Sequence, residues 1–375
     1  MTAPFTPPGP LADALVHFPL TPRTKRAAPP LYQRVTGLLH RARVASSRKF
    51  ATTAGNVLHE TAVLLADLGR LRQAVELCAT HTRLWVAGRR LSAEGARRAL
   101  APQGTAAALL LRAGLPEDAL VLLAEVTRAL AADDDAALPH GPLPLARLTA
   151  DDDDREDVAG WWADVQAGHG ARALARQGRW AQAHFHAKTA RGPGPWPGLL
   201  DARQIAIVAM AVDGRTDLAR TLIDDTPLVQ PWERVVGALL HVLCALTAQD
   251  AAGEELPVLL DAMFTAHDAI EPGAHDPLWD TELWLALVDT AAAAGRPADT
   301  LHPYVSAGVK KSRDGYSAAA LLAHRLARAL SEEDRAVLTR IADAAGLGTH
   351  PVPARTESRI AQTVHAATAA LAAAT

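Results

Sequence analysis

The sequence predicts an all-α protein in which helical hairpins follow one another as an array. Three observations carry this. No window alternates apolar and polar residues with the β-branched and aromatic enrichment that marks strands. A small-x-x-large-x-x-x-Gly-x-x-x-x-Ala pattern recurs, as two closely packed helices joined by a glycine turn would require. A chain of 375 residues that is 49% hydrophobic exceeds what one core needs, which fits several domains or an elongated array.

The elements follow in order. Residues 1–30 are Pro-rich and read as a flexible or extended arm. The first hairpin, ETAVLLADLGRLRQAVELC, places Ala62, Leu65, Gly69, Ala74 and Cys78 in the pattern. The second uses Ala107, Leu110, Gly114, Ala119 and Leu123; the third uses Ala171, Leu174, Gly178, Ala183 and Ala187. Ile207, Met210, Gly214, Ala219 and Ile223 form the fourth, and Val288, Ala291, Gly295, Thr300 and Tyr304 a weaker fifth. Successive glycines are 45, 64, 36 and 81 residues apart, so the last step must contain a degenerate hairpin around Trp232 to Ile270. An acidic insertion spans 131–157, sharp breaks fall at 192–198 and 351–357, and a terminal capping helix is expected over 358–373.

These slots resemble the tetratricopeptide repeat, with Trp180 in the aromatic slot and Pro195 in the closing proline slot. The resemblance implies an α-solenoid over 31–375 with a concave groove, since each hairpin leaves an apolar face for its neighbour to bury. It also implies that a protein or peptide partner lies against the first helix of each hairpin. The groove-facing slots are then Asn56 and His59, Arg112, Arg172 and Arg176, Asp201, Arg203 and Gln204, and finally Glu282 and Asp289. The groove would be basic in its middle, where Arg172 and Arg176 lie one turn apart and suit a carboxylate or phosphate, and acidic at its end. The family's Lys/Asn carboxylate clamp is not reproduced.

Conventional chemistry finds little support. Asp153-Asp154-Arg155-Glu156-Asp157 matches the DDxxD pattern with which isoprenoid enzymes bind Mg²⁺, but the only asparagine is Asn56, so their second metal motif is missing, and aromatics make up just 4%. Acidic residues at a helix start, capped by Thr149 or Asp151, explain the segment more simply. In HDAIEPGAHDPLWDTE the metal-capable residues follow no known ligand spacing, and Asp276 or Asp280 reads as a cap. Gly168-His-Gly170 imitates a dinucleotide fingerprint without the strand it needs. His184 and His186, two apart on a helix, diverge by about 200° and cannot share an ion. Cys78 and Cys244 read as small buried hydrophobes.

Net charge of −3 and a pI near 6.6 argue against nucleic acid as the main partner, although residues 1–50 carry eight basic side chains, Arg23 to Lys49, against Asp13 alone. No apolar run is long enough to span a bilayer and the N-terminus lacks a secretory pattern, so a cytoplasmic protein without membrane contact is expected. Five lysines against 33 arginines resemble the coding habit of an actinobacterial-type genome. The expected function is a non-enzymatic scaffold, without cofactor or metal, binding a protein or peptide in a regulatory or biosynthetic assembly. The alternative is an α-helical enzyme or small-molecule-binding protein with its site near the DDRED segment and the Trp161/Trp162 pair. A ligand-sensing regulator acting through another protein is a third.

Overall fold

The computed structural model describes residues 9–16, 18, 20–22, 27–48, 50–87, 89–191, 198–248, 255–271, 273–296, 302–348 and 351–374. Among these the protein is all-helical, with seventeen α-helices, a 3-10 turn and two isolated backbone bridges in place of strands. Pro195, Thr300, most of the 192–198 break and Arg23, Lys25, Arg26 and Lys49 of the basic cluster lie outside the described residues. Residues 31–375, expected as a single array, fall into two compact units. Unit I is Pro30–Ala173 with Gly346–Thr375, and unit II is Met1–Pro29 with Leu174–Ala345.

The first helix, α1 (Gly9–Val16), lies inside the segment expected as an arm. It is ordered because Leu11, Ala14 and Leu15 are buried in unit II. Unit I begins with α2 (Leu31–Arg48) and continues through α3 (Ala51–Asp67), α4 (Leu71–Val86), α5 (Ala93–Arg112) and α6 (Pro116–Ala132) into α7 (Asp152–Arg176). Unit II follows with α8 (Trp180–Arg191), α9 (Asp201–Val212), α10 (Thr216–Asp224), α11 (Pro231–Thr247), α12 (Glu255–Asp268), α13 (Pro277–Ala293) and α14 (His302–Ser312). It closes with α15 (Gly315–Ala323), the 3-10 turn Arg325–Ala329 and α16 (Glu332–Ala344), before α17 (Ala354–Ala374) returns to unit I.

All five expected glycines make the turn they were read to make, with φ between 71° and 79°. At Gly69 the N–H bonds to Ala66 O at 3.0 Å and the Arg70 N–H reaches back to Leu65 O at 2.8 Å, the double closure of a Schellman cap. The same return bond ends on Leu110, Leu174, Met210 and Ala291, each the large or fourth-before-glycine slot of its pattern. The small slots are fully buried: Ala62, Ala74, Ala107, Ala119, Ala183 and Ala219 are at most 1% exposed, as close helix approach requires. The degenerate hairpin expected around Trp232 to Ile270 exists as the packed pair α11 and α12.

The fifth hairpin departs from the pattern. Tyr304, expected to face inward, is 67% exposed, and Val305 and Val309 are buried instead. The other four second helices begin two residues after their glycines, whereas residues 297–301, between Gly295 and α14, lie outside the described residues.

The acidic insertion is ordered. Ala136 and Leu143 exchange both backbone bonds at 3.0 and 2.9 Å, and Leu138, Leu145 and Leu148 are buried in the unit I core. Its carboxylates hold the loop by accepting backbone N–H groups, Asp133 from Arg147 at 2.9 Å and Asp135 from Ala146 at 3.1 Å. Asp151 caps α7, accepting the Asp154 N–H at 2.8 Å. The terminal helix α17 packs on α2 and α3, so it covers the start of unit I's helix series. No helix among the described residues is long and apolar enough to cross a membrane.

A titratable group sits in the same core. His81 is buried between α3 and α4, with Nε2 accepting the Trp85 indole N–H at 3.1 Å. Burial, reinforced by the nearby His59, lowers its pKa to about 4. The unfolded chain therefore takes up this proton near pH 6.5 and the folded chain only near 4, so the contribution is complete above 6.5 and is lost as pH falls. We expect a loss on the order of 3 kcal/mol across that window. Urea unfolding at pH 7 and pH 4.5 checks it, and His81→Gln should flatten the pH slope.

Candidate functional site

The residues expected in a groove separate into different environments. On α3, Asn56 and His59 are exposed, and His59 Nδ1 lies 2.9 Å from Thr105 Oγ1 of α5. Arg112 is committed to the buried Asp67, 2.6 Å away. On α7, Arg172 is half-buried and Arg176 exposed; Arg176 Nη2 lies 3.6 Å from Glu282 Oε1 of α13. One basic and one acidic residue assigned to separate parts of the groove, Arg176 and Glu282, thus meet within unit II. Arg203 donates to Thr226 Oγ1 at 2.8 Å. Gln204 and Asp289, both read as groove-facing, are fully buried. Gln204 donates to Leu199 O at 2.7 Å, while Asp289 accepts from buried His324 and from the partly exposed Arg325. Both lie on helix faces covered by neighbouring helices, which slot positions alone did not distinguish.

The Asp289–His324 pair has the residue types of a catalytic dyad but lacks a working base. Nε2 bonds to Asp289 Oδ2 at 2.8 Å, and Nδ1 accepts the Leu326 N–H at 3.2 Å, so both ring nitrogens are used in holding the turn after α15.

Metal-binding types are likewise absorbed. Among the described residues no group of three or more His, Cys, Asp and Glu could hold an ion. In the DDRED segment Asp154 accepts the Ala93 N–H at 2.8 Å, Asp157 pairs with Arg97 at 2.5 Å, and Arg155 pairs with Asp152 at 2.7 Å. We expect Asp154→Ala to lower thermal stability by about 1 kcal/mol, as loss of a backbone-capping carboxylate does, with Asp153→Ala within about 0.5 kcal/mol. Melting curves of the two variants compare them directly. Asp276 caps α13, His275 packs against Trp279 with ring centres 4.8 Å apart, and His267 packs against Trp284 at 4.1 Å, both ring pairs tilted at 53°. Gly168 and Gly170 lie in the interior of α7, and His184 and His186 share helix α8. The Cys78 and Cys244 thiols are pushed up to about 12 by burial, which leaves no reactive thiolate near neutral pH.

In unit II the starts of α8, α9, α13 and α15 meet the chain's own N-terminal segment. Phe18 packs edge-on against Trp180, ring centres 6.2 Å apart at 85°. The Leu20 carbonyl accepts the Trp279 indole N–H at 2.9 Å, and the Thr21 N–H donates to Asp201 Oδ1 at 2.8 Å. Further along, the Ala28 N–H donates to Asp314 Oδ2 at 2.5 Å and its carbonyl accepts the Gly315 N–H at 3.1 Å. Gly315 is required there, because a Cβ would lie 2.3 Å from that of Ala345 and 3.1 Å from the Ala28 oxygen.

These contacts read main-chain groups at three points and bury side chains beside them. Leu11, Ala14, Leu15, Phe18 and Leu20 are each at most 8% exposed, and α1 lies along α13. Leu20 has φ of 51°, a left-handed conformation that costs a bulky residue about 1–2 kcal/mol. Of the residues expected in a groove, Asp201 alone bonds this segment in these contacts. Trp279, Asp314 and Gly315 were missed as contacts. The Asp-Gly-Tyr-Ser run at 314–317 is a helix-start signal visible in the sequence, but nothing local links Trp279 to a carbonyl 259 residues earlier.

No family model, curated protein or solved structure matches this chain.

Proposed function

We propose that this chain is a non-enzymatic helical-repeat scaffold of the tetratricopeptide type. Its first helices line a concave groove that binds a protein or peptide segment within a regulatory or biosynthetic assembly. One observation supports the reading: the starts of α9, α13 and α15 in unit II hold the chain's own N-terminal segment by main-chain N–H and C=O groups while its apolar side chains are buried. That combination is how peptide-recognition surfaces bind, with backbone bonds supplying affinity and apolar pockets supplying selectivity. Glycine-turned hairpins with small residues at the helix contacts support the repeat assignment.

The reading is tested by cross-linking the full chain to its native partner and locating the cross-links. Contacts should map to first helices. Reversing Arg172 and Arg176 together to glutamate should reduce capture at least tenfold, whereas Arg72→Glu, on the exposed side of the second helix α4, should not. Unchanged capture by the Arg172→Glu/Arg176→Glu chain counts against the groove.

A further inference from the structure

We propose that the outer surface formed by α2 and α17 in unit I binds single-stranded nucleic acid, with Arg43, Arg355 and Arg359 on its phosphates and Tyr32 stacked on a base. None of the residues assigned to the groove belongs to this surface. Its charge is hidden in the whole-chain balance, which carboxylates elsewhere bring to −3. The fold sorts the basic residues of α2. Arg34 is tied to buried Asp67 and Arg41 to Glu60, whereas Arg43 stays exposed and reaches only the neutral Gln362 of α17, at 3.4 Å. The returning helix α17 then adds two arginines from the far end of the chain. Arg359 donates to Thr36 Oγ1 at 3.3 Å, and exposed Arg355 precedes it by one turn. No acidic residue occurs in α2, and the single one in α17, Glu357, is engaged by Arg70. Among the described residues, then, no carboxylate pairs with Arg43, Arg355 or Arg359, and guanidinium groups so placed suit phosphates.

Three features favour a single strand over other polyanions. First, Tyr32 is 66% exposed and the Arg359 guanidinium lies over its ring, 5.4 Å from the centre, which braces the ring and leaves it accessible to a base. Tyr32, Thr36 and Arg43 share one side of α2 and form a strip about 17 Å long. Second, Gly37 sits within α2, where glycine is a poor helix former, and a Cβ there would meet nothing within 4 Å. Packing gives no reason for it, whereas a strand lying close to the helix backbone does. Third, an anionic bilayer would need apolar side chains to insert, and the exposed positions of α2 around Arg43 are Thr36, His40, Ser46 and Ser47. A duplex keeps its bases stacked on one another, so it offers Tyr32 nothing to stack on.

The test uses the full chain and a fluorescein-labelled oligothymidylate of about twenty nucleotides, followed by fluorescence anisotropy. Binding should weaken with salt at a log–log slope of about −2, as three phosphate contacts on a single strand give. Arg43→Glu/Arg355→Glu should weaken it on the order of tenfold or more, and Tyr32→Ala on the order of fivefold, with the circular dichroism of the helices unchanged. Arg340→Glu, on the exposed side of α16 in unit II, should leave it as it was. A duplex of the same length should bind more weakly than the single strand. No binding at about 50 mM salt, or binding that both variants leave intact, overturns the proposal. Tighter binding of polyglutamate, or of phosphatidylserine vesicles, lost in the Arg43→Glu/Arg355→Glu chain, also overturns it and assigns the surface to an acidic peptide or a membrane.

Discussion

Replacing Asp289 with alanine should lower the unfolding free energy of unit II by about 3–4 kcal/mol, because buried His324 loses its partner while Arg325, 33% exposed, recovers part of its solvation. Asp289 is fully buried in α13. Oδ2 holds His324 Nε2 at 2.8 Å, and Oδ1 holds Arg325 Nε at 2.7 Å. Arg325 Nη2 also lies 2.5 Å from Oδ1, at an angle too poor for a hydrogen bond, so it adds charge attraction only. The alanine variant strands a buried imidazole donor and half of a guanidinium, and it unfastens the turn joining α15 to α16. Asp289→Asn keeps the shape and one acceptor, so it should cost less than half as much. Urea unfolding gives the magnitude. Hydrogen exchange should place the loss in α13 and α15; a change below about 1 kcal/mol would show that the cluster relaxes into solvent.

Asp67→Ala should have the next largest effect, about 3 kcal/mol, in unit I. Asp67 is the last residue of α3, where the macrodipole disfavours a carboxylate. It is tolerated because two guanidinium groups converge on it, Arg34 from α2 at 2.5 Å and Arg112 from α5 at 2.6 Å, with its side chain 2% exposed. One carboxylate therefore ties three helices. The Asp67 carbonyl also accepts the Gly348 N–H at 2.7 Å, which links this knot to the returning C-terminal segment. Without the carboxylate, Arg34, whose Nη1 already lacks an acceptor among the described residues, becomes a buried charge with no counter-ion among them. Arg112 is 27% exposed and recovers part of its solvation, which keeps the expected cost at the lower end. Asp67→Asn should fall between the wild type and alanine, and salt should weaken the wild type more than Asp67→Ala.

The difference between what was legible and what was not follows from range. Leu65, Gly69 and Arg70 form one cap among six consecutive residues, so the stop of α3 could be read from residue types alone, as could the four similar stops after it. The same fact limits what the pattern says: large-x-x-x-Gly is the chemistry of a helix end wherever one occurs. Asp276 and Asp151 were legible as caps for the same reason. The groove residues were not, because a slot specifies a helix face and not what covers it. Gln204 and Asp289 occupy polar positions of the expected kind, yet neighbouring helices bury both. Arg112 looked available and is bound to a carboxylate 45 residues away.

By itself, then, the sequence determined the all-helical class, the five glycine turns, the small residues at helix contacts and the hidden α11–α12 pair. Each is set by backbone conformation and periodicity within a few residues. Tertiary structure decided the rest. It divided the chain into two units, sent α17 back to the beginning of unit I and ordered the acidic insertion by letting its carboxylates accept backbone N–H groups. It also laid the N-terminal segment on the helix starts of unit II. Those outcomes depend on which partner buries a given apolar face or satisfies a given polar atom, and the partner of Trp279 lies 259 residues away, beyond the reach of any local pattern.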